Sequence, residues 1–294
     1  MDKYFPIVLF AYNRPYHFKK VINSIEKTKD IKKYKIYFFC DGPKSHLDKN
    51  KIKEIKKIIS KKKKINFYKT TFRDKNLGLA RNIIKSLNEV FKTNKAAIII
   101  EDDIILNHKA ISFINFYLNR FYKKENIGSV SAHSYIDNLK TKKKLIYYLS
   151  KRHSSWAWGT WSYIWKKINW SKTKRVNIFK TDFDNLGNDM KLLLWGQNNK
   201  YINSWAIRFN YFCFENNLKS FQPRYSKIQN IGLDGSGTHG FIKKKYYKIS
   251  KNLNREFVYR PKIDDDYHYI DNYIKKKHKK SIRLLFYYYF FLIN

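Results

Sequence analysis

The stretch Ala96-Ala97-Ile98-Ile99-Ile100-Glu101-Asp102-Asp103 runs from five apolar residues directly into three adjacent acids. A run that is apolar at every position is typical of a strand that is buried on both faces of a parallel sheet. Similar short runs occupy residues 5–10, 36–40 and 65–68, and a segment with helical spacing of its apolar residues follows each of them. This alternation predicts an α/β fold with a mostly parallel central sheet that is flanked by helices.

The acidic triplet, Glu101, Asp102 and Asp103, is the strongest local signal of function. Three adjacent carboxylates after a buried strand repel one another unless a cation or hydrogen-bond donors compensate them. Mg²⁺ and Mn²⁺ are bound through one or two carboxylates, and substrate phosphates complete the coordination shell. Ligands of open α/β sheets bind at the carboxyl ends of strands, which is where the triplet falls. We therefore predict a divalent cation site; the alternative is a solvated loop or favourable negative charge at a helix N-terminus.

Polar residues also follow the first two predicted strands, with Asn13 and Arg14 after residues 5–10 and Asp41 after residues 36–40. The carboxyl ends of parallel strands meet at one edge, so these loops should lie beside the acidic triplet. Arg14 can offer a fixed fork of donors to a phosphate, and Asp41 can accept a hydrogen bond from a base or ribose. Each residue alone fits a simpler role, a surface cation for Arg14 and a plain turn for Asp41. Their convergence favours a nucleotide site.

The chain is strongly basic, with 62 Lys and Arg residues against 23 Asp and Glu residues and a formal net charge of +39. Such a charge attracts anionic partners, which include nucleic acids, anionic membrane surfaces and phosphorylated substrates. Part of it fits a compositional bias toward Lys, Asn, Ile, Tyr and Phe, so charge alone does not select among these partners. With no signal peptide and no apolar run of about 18 residues, we expect a cytoplasmic protein. Its two cysteines, Cys40 and Cys213, are expected to be reduced.

The second half of the chain is less regular and carries all seven tryptophans. Flat aromatic rings can pack against the apolar faces of sugar rings. We therefore predict an acceptor-binding platform that includes Trp156, Trp158 and Trp205. Core packing is the alternative, because aromatic side chains at such density are mostly buried.

Four segments, taken in order, resemble the nucleotide-sugar half of GT-A glycosyltransferases. They are Phe10-Ala11-Tyr12-Asn13-Arg14-Pro15, Cys40-Asp41-Gly42-Pro43, Asn76-Leu77-Gly78-Leu79-Ala80-Arg81-Asn82 and Ile100-Glu101-Asp102-Asp103. The chain looks most like bacterial enzymes similar to N-acetylglucosaminyltransferase I, which also carry segments like those at residues 154–161, 203–208 and 230–239. The resemblance covers residues 5 to 240 and implies a GT-A, Rossmann-like fold with an irregular Trp-rich acceptor half.

The resemblance also implies a role for each polar residue of these segments. Asp103 would be the direct ligand of Mn²⁺ or Mg²⁺, and Glu101 and Asp102 would contact the donor sugar and ribose. Asp41 would read the nucleoside, and Arg14 would lie near its phosphates. In such a site the cation bridges the diphosphate and stabilises the charge that develops as the nucleotide leaves. The full set of donor-binding residues implied is Asn13, Arg14, Asp41, Asn76, Arg81, Glu101 and Asp102.

An inverting transferase also needs a carboxylate that takes the proton of the acceptor hydroxyl. In the N-acetylglucosaminyltransferase I pattern this carboxylate immediately precedes a tryptophan, but the matching segment, Asn203-Ser204-Trp205, offers none. Asp234, in a glycine-rich loop, is our candidate catalytic base, and Asp189 is the second choice; a glycine-flanked Asp is also a common turn former. His239, in the same loop, is a candidate metal ligand or lid residue. The missing carboxylate leaves the stereochemical outcome open.

We divide the chain into a nucleotide-sugar-binding half at 1–125, an acceptor-binding and catalytic half of the same domain at 126–245, and a basic aromatic tail at 246–294. The tail contains Lys275-Lys276-Lys277-His278-Lys279-Lys280 and an apolar strip at 284–293. The strip is too short to span a bilayer but can lie at its interface, so an anionic membrane surface is a further predicted partner. The alternative is a final helix packed on the domain.

Residues and resemblance together predict a metal-dependent hexosyl- or N-acetylhexosaminyltransferase of the inverting type. It would move a sugar from a nucleotide-diphosphate sugar, with UDP favoured, onto a glycan or lipid-linked glycan in bacterial surface polysaccharide or lipooligosaccharide synthesis. It would work in the cytoplasm, at the inner face of the plasma membrane if its tail binds lipid. The sequence does not specify the sugar, the acceptor or the oligomeric state.

The sequence is compatible with two other classes of function. The charge favours a nucleic-acid-binding protein or a metal-dependent nuclease. A two-metal nuclease would need several separated carboxylates, whereas these acids form one triplet. No nucleic-acid-binding motif is visible either, so we expect no nucleic acid partner. The third class is a glycan-binding protein without catalysis, which the missing base carboxylate makes credible.

Overall fold

A computed structural model of the chain describes residues 4–140, 145–170, 181–234 and 267–278. The strands in these ranges are β1 (Ile7–Ala11), β2 (Ile36–Cys40), β3 (Phe67–Phe72), β4 (Ala96–Ile100), β5 (Ile104–Leu106), β6 (Ile127–Ser131), β7 (Tyr147–Ser150), β8 (Trp158–Trp161), β9 (Lys219–Pro223) and β10 (Ile228–Asn230). The α-helices are α1 (Pro15–Ile25), α2 (His46–Ser60), α3 (Leu79–Val90), α4 (Ala110–Arg120), α5 (Ser162–Trp165), α6 (Asn188–Asn198), α7 (Trp205–Glu215) and α8 (Tyr267–Lys277). Short 3-10 helices lie at Ile31–Lys33 and Phe183–Leu186.

The strands form an eight-stranded sheet in the order β3-β2-β1-β4-β8-β6-β9-β7 and a separate two-stranded ribbon of β5 and β10. Strands β3, β2, β1 and β4 are parallel, and Ile7 of β1 pairs with Ile36 on one side and Ile98 on the other. Strand β8 runs antiparallel to both β4 and β6, whereas β6 and β9 are parallel and β7 closes the far edge antiparallel to β9. The predicted α/β class, with its mostly parallel central sheet and flanking helices, is confirmed.

Every residue of β1, β2 and β4 is buried, because helices cover both faces of the parallel block. The connections from β1 to β2 and from β2 to β3 run in one direction, and the connection from β3 to β4 returns in the other. Right-handed crossovers therefore place α1 and α2 on one face and α3 on the opposite face. In agreement, α1 and α2 pack against each other. All three helices begin at the carboxyl edge of the sheet.

The third strand lies later in the sequence than predicted, at Phe67–Phe72 instead of residues 65–68. It is the edge strand of the sheet, and its residues Tyr68, Lys69 and Thr70 are exposed. A half-exposed edge strand does not need a continuous apolar run. The apolar run at 65–68 therefore overlapped only the first residues of this strand.

A dense aromatic core fills the second half around β8. Trp158, Trp161 and Trp165 are fully buried there. Strand β8 passes close to α4, since a Cβ added to Gly159 would lie 2.7 Å from the Leu118 Cδ1 atom. The inserted antiparallel strand thus needs a glycine at this crossing, where any side chain would meet α4.

Part of the predicted tail packs on the domain. Residues 267–278 include α8, whose Ile270 and Ile274 are buried in a small cluster. The other buried members of that cluster are Ile136, Leu139 and Tyr148. The packed-helix alternative therefore describes this part of the tail, while the apolar strip at 284–293 lies outside the described residues and its membrane role stays a prediction. In the described part of the chain, no helix combines the length and apolar character needed to cross a bilayer.

Candidate functional site

The loops after β1, β2 and β4 meet at the carboxyl edge of the sheet. The Asp41 backbone N–H donates to the Ala11 carbonyl at 3.0 Å, which holds the first two loops together. The Tyr12 backbone N–H donates to Oδ2 of Asp102 at 3.1 Å, which joins the first loop to the acidic triplet. The predicted convergence of the three loops is thus observed, as the parallel strand order requires.

Asp103 lies where the first and second halves of the chain meet. Its Oδ2 atom accepts a hydrogen bond from Nη1 of Arg14 at 3.3 Å, and both side chains are partly buried. Its carbonyl accepts a hydrogen bond from the Ile231 backbone N–H at 2.9 Å. A Cβ added to Gly232 would lie 2.1 Å from Oδ2 of Asp103, so only a glycine leaves room for this carboxylate. Asp103 is therefore enclosed by Arg14 of the loop after β1 on one side and by the loop after β10 on the other.

Burial opposes the ionised form of all three acids of the triplet. Burial, reinforced by the charges of Asp103 and Asp102, raises the pKa of Glu101. Burial and the charge of Asp103 likewise raise the pKa of Asp102. Burial also raises the pKa of Asp103, against the opposing effect of Arg14. Among the described residues, Arg14 is the guanidinium in contact with this triplet, and a bound cation would favour the ionised form of all three acids.

The donor set suits a hard divalent cation. Within the described residues, no group of three or more His, Cys, Asp and Glu side chains is arranged to hold a metal ion by itself. Mg²⁺ and Mn²⁺ are commonly held by one or two carboxylates, with substrate phosphates and waters as the remaining ligands. The Asp103 carboxylate, which packs against Gly232 and beside Arg14, is the carboxylate that the prediction assigns to the cation. The residues present therefore fit the predicted cation.

Asp48 organises the first loop of the site. It was not among the site residues predicted from the sequence. Its carboxylate accepts hydrogen bonds from the Tyr12 hydroxyl at 2.8 Å and from Nδ2 of Asn13 at 2.7 Å. It also accepts from the backbone N–H groups of Lys44 at 3.0 Å and Ser45 at 3.1 Å. Asn13, predicted to bind the donor, thus has its amide engaged by Asp48. The Ser45-x-x-Asp48 spacing is that of a capping box and could have predicted the start of α2, though not the contact with Asn13.

The hydrogen-bonded Asp48 should make stability depend on pH. The hydrogen bond from Asn13, with a further one from Tyr12 and against the effect of burial, lowers the pKa of Asp48. Its stabilising effect is therefore complete above the unfolded-state pKa of about 4 and is lost as the pH falls through the lower folded-state pKa. We expect Asp48→Asn to destabilise the fold by about 1–3 kcal/mol near neutral pH and to flatten the decline of stability at acid pH. Urea unfolding at a series of pH values measures both effects.

The matched control is Asp74→Asn, which removes an exposed carboxylate from the loop before α3. With this substitution, the free energy of unfolding should fall with decreasing pH as steeply as it does in the original chain. If the free energy of unfolding falls equally steeply at acid pH in Asp48→Asn and in the original chain, the Asp48 hydrogen bonds add no net stability.

Asp41 is turned toward the backbone and builds the neighbouring loop. The side chain is buried, and its oxygens accept from the backbone N–H groups of Gly42, Leu77 and Gly78, each at 2.9 Å. The Nδ2 atom of Asn76 donates to the Gly42 carbonyl at 2.7 Å. Asp41 and Asn76, both predicted to contact the donor, are thus engaged in joining the loop after β2 to the start of α3.

The remaining predicted donor residue of this segment, Arg81, is exposed in the first turn of α3. It lies at the same edge as the acidic triplet because α3 begins there. No hydrogen bond orients its side chain within the described residues, so the structure leaves its predicted role as an expectation.

Asp234, the candidate base, reaches the site from the second half. Its Oδ2 atom lies 3.0 Å from Nε2 of His17, and its side chain is 39% exposed. His17 belongs to the first turns of α1 and is itself buried. Nothing in the local sequence marks His17, because its partner lies 217 residues later. His239, the predicted additional metal ligand, lies outside the described residues.

Asp189, our second candidate for the base, is already paired. Arg152 donates from Nη1 to its Oδ1 at 2.7 Å and from Nη2 to its Oδ2 at 2.6 Å. Although burial opposes ionisation, the Arg152 charge holds the pKa of Asp189 below its usual value. A carboxylate held in this way by a buried guanidinium is a poor proton acceptor, so the prediction for Asp189 is corrected.

The predicted aromatic platform is divided between core and surface. Trp158 and Trp205 are buried and stacked on each other, with ring centroids 5.3 Å apart. Neither ring is available to a sugar, so the core alternative is correct for these two residues. Trp156 is partly exposed, and its ring lies 4.6 Å from that of His133. Of the three predicted rings, Trp156 keeps a surface that an acceptor could reach.

No protein-family model matches the chain, and a comparison with curated proteins finds no match. Among solved structures, the mannosyltransferase PcManGT from Pyrobaculum calidifontis, in complex with GDP-Man and Mn²⁺, aligns at 9% identity and a TM-score of 0.37, covering 53% of this chain and 45% of that chain. The S. aureus TarS fragment 1-349 aligns at 11% identity and a TM-score of 0.42, covering 78% of this chain and 61% of the fragment.

The same TarS fragment in complex with UDP-GlcNAc aligns at 11% identity and a TM-score of 0.41, covering 76% of this chain and 57% of the fragment. The chain thus spans less than two thirds of the length of these structures. Likenesses at this level do not identify a family, and the likeness to N-acetylglucosaminyltransferase I stays a prediction.

Proposed function

We propose that the chain is a metal-dependent glycosyltransferase that moves a sugar from a nucleotide-diphosphate sugar onto a glycan acceptor. The observation that carries the proposal is the enclosure of Asp103 between Arg14 and Gly232, in a triplet of carboxylates whose pKa values are raised. This arrangement supplies one carboxylate ligand and one guanidinium at the edge of the sheet where ligands of such folds bind. A diphosphate with its bound cation can pair with both groups, the cation with the carboxylate and the phosphate oxygens with the guanidinium.

In this proposal the acidic edge binds the donor. Asp103 would hold Mn²⁺ or Mg²⁺, and Glu101 and Asp102 would face the donor sugar and ribose. The bound cation supplies charge neutralisation on the diphosphate oxygens as the nucleotide leaves. Arg14 would donate hydrogen bonds to the same phosphates and so hold the leaving group beside the cation that Asp103 would carry. Arg14 and Asp103 already lie side by side, with Nη1 of Arg14 3.3 Å from Oδ2 of Asp103, so both are placed to meet one diphosphate with its cation.

We assign the base role to Asp234, in a reaction of the inverting type. Its carboxylate would accept the proton of the acceptor hydroxyl while the hydroxyl oxygen bonds to the anomeric carbon and the bond to the diphosphate breaks. His17 holds this carboxylate by the 3.0 Å contact and is a positioning residue. The exposure of the Asp234 side chain leaves room for an acceptor beside it. The glycan would contact Trp156, the accessible ring of the predicted platform.

A donor screen tests the proposal. The full chain is incubated with Mn²⁺ and a panel of UDP- and GDP-sugars, and release of nucleoside diphosphate is scored with and without EDTA. We expect release from at least one donor, dependent on the cation and strengthened by a glycan acceptor. If no donor is turned over and the chain instead cleaves or binds DNA in a salt-dependent way, the nuclease or nucleic-acid alternative is correct. Sugar binding without turnover would indicate a glycan-binding protein.

A further inference from the structure

Three large apolar side chains stand in solvent at the same edge of the sheet as the acidic triplet. Tyr16, Leu47 and Leu79 are 65%, 71% and 50% exposed. Each lies in the first turn of its helix, α1, α2 or α3, and each helix begins at the carboxyl edge because it follows a parallel strand. We call these three residues the apolar rim.

The loops that carry the apolar rim are fixed to one another. Asp48, next to Leu47, binds the Tyr12 hydroxyl and Nδ2 of Asn13, which ties the start of α2 to the loop before α1. Asp41 binds the backbone N–H groups of Leu77 and Gly78, which ties the loop before α2 to the start of α3. The apolar rim is therefore held on a preorganised surface and not on independently moving loops.

The three chain segments that carry the apolar rim are cationic, and the acidic triplet lies beside them at the same edge. Residues 12–20, 41–49 and 73–82 contain one exposed acid, Asp74, because Asp41 and Asp48 are buried. The exposed Lys and Arg residues of the same segments are Lys19, Lys20, Lys44, Lys49, Lys75 and Arg81. One of these lysines lies directly beside the apolar rim, since Nζ of Lys20 is 4.2 Å from the centroid of the Tyr16 ring. These segments thus present exposed apolar side chains together with exposed positive charges.

We propose that this edge docks on an anionic membrane surface, with the apolar rim inserted among the lipid headgroups. Lysines attract anionic lipids, and single exposed apolar side chains gain by entering the interface between headgroups and acyl chains. A nucleic acid would pair with the lysines and leave the apolar side chains in water. A protein partner of ordinary stability would need a large apolar patch, whereas this edge offers one exposed apolar side chain on each of three helices.

This docking turns the acidic edge of the sheet toward the bilayer. An acceptor that is anchored to lipid would then meet the site without leaving the membrane, while a soluble donor enters from the side. The binding itself does not depend on the proposed transferase activity. Loss of the Asp103 carboxylate, for example, should leave lipid binding intact, so the two proposals can fail separately.

Vesicle co-sedimentation of the full chain tests the docking surface. We expect binding to vesicles of phosphatidylethanolamine and phosphatidylglycerol and little binding to vesicles of phosphatidylcholine alone. Leu47→Glu combined with Leu79→Glu should weaken binding to the anionic vesicles about tenfold or more, since both charges oppose insertion. Both residues are exposed, so the variant should fold, which circular dichroism verifies.

The matched control is Lys64→Glu, because Lys64 is exposed beyond the C-terminal end of α2, at the opposite edge of the sheet. It should change vesicle binding by less than about twofold. Equal losses in Lys64→Glu and in the rim variant would mean diffuse charge attraction and overturn the proposal. So would absence of binding by the original chain, or light scattering that shows a dimer which the rim variant converts to a monomer.

Discussion

Asp103→Asn should reduce cation-dependent release of nucleoside diphosphate by about a hundredfold to a thousandfold, because it removes the carboxylate that we assign to the metal. The amide is nearly isosteric and can still accept the hydrogen bond from Arg14, so the loss would not arise from an altered fold. Direct titration with Mn²⁺ should show the same loss in cation affinity. A variant that keeps more than about a tenth of the activity would exclude Asp103 as the ligand.

The same substitution should stabilise the metal-free protein. The raised pKa of Asp103 means that burial opposes its ionised form by more than the nearby Arg14 favours it, so at neutral pH the charge destabilises the fold. Replacing it with a neutral amide should raise the free energy of unfolding without metal by about 1 kcal/mol. Opposite effects on stability and activity distinguish a binding site from a structural cluster, in which both quantities would fall together.

Two further variants complete this experiment. Asp74→Asn changes an exposed carboxylate of the neighbouring loop and should leave both quantities unchanged. Asp234→Asn should keep cation-dependent donor binding but lose transfer to the acceptor, because it removes the proposed base and leaves the metal ligand in place. If Asp234→Asn transfers sugar at the original rate, the base lies elsewhere.

Arg152→Ala should destabilise the protein by about 3–5 kcal/mol, because it leaves the buried Asp189 carboxylate without its partner. Arg152 makes two hydrogen bonds to that carboxylate and a third to the Leu186 carbonyl at 2.9 Å. It thereby holds α6 against the segment that follows β7. Urea unfolding followed by circular dichroism measures the loss.

A double variant separates the ion pair from simple packing. Arg152→Met with Asp189→Leu removes both charges and keeps apolar volume, so it should recover a large part of the lost stability. Arg208→Ala is the control for loss of a guanidinium that has no carboxylate partner among the described residues, since Arg208 donates to the carbonyls of Trp170 and Ser204 and to Asn203. It should cost about 1–2 kcal/mol. If the double variant is no more stable than Arg152→Ala, the unpaired Asp189 carboxylate is not the cause of the lost stability.

The parallel half of the sheet was predictable because its buried strands have a distinctive sequence pattern. Buried parallel strands must be apolar at every position, and the runs at 36–40 and 96–100 coincide with β2 and β4. The meeting of the loops after these strands followed from topology alone. Strand β8 was not predictable in the same way, because its place between β4 and β6 depends on pairing across distant parts of the sequence.

The roles of single polar side chains were harder to predict, since they depend on partners that are remote in sequence. Asp41 is engaged by the N–H groups of Leu77 and Gly78, and no local pattern distinguishes this from a free carboxylate. Likewise, Trp156 and Trp158 are two residues apart, and only the position of β8 in the core decides that one is accessible and the other buried. Residue type predicted which chemistry could occur, and tertiary contacts decided which residues remain accessible for it.

The short ribbon of β5 and β10 fixes the spacing between two parts of the site that are distant in sequence. Ile104 follows the acidic triplet and pairs with Asn230, which comes just before Gly232 and Asp234. A shift of one residue in this pairing would exchange the two faces of the ribbon and carry Gly232 away from Asp103. Chimeric proteins that exchange donor and acceptor halves between related chains must therefore inherit both strands of the ribbon from the same parent. A crossover point between the two strands would combine two intact halves that no longer face each other.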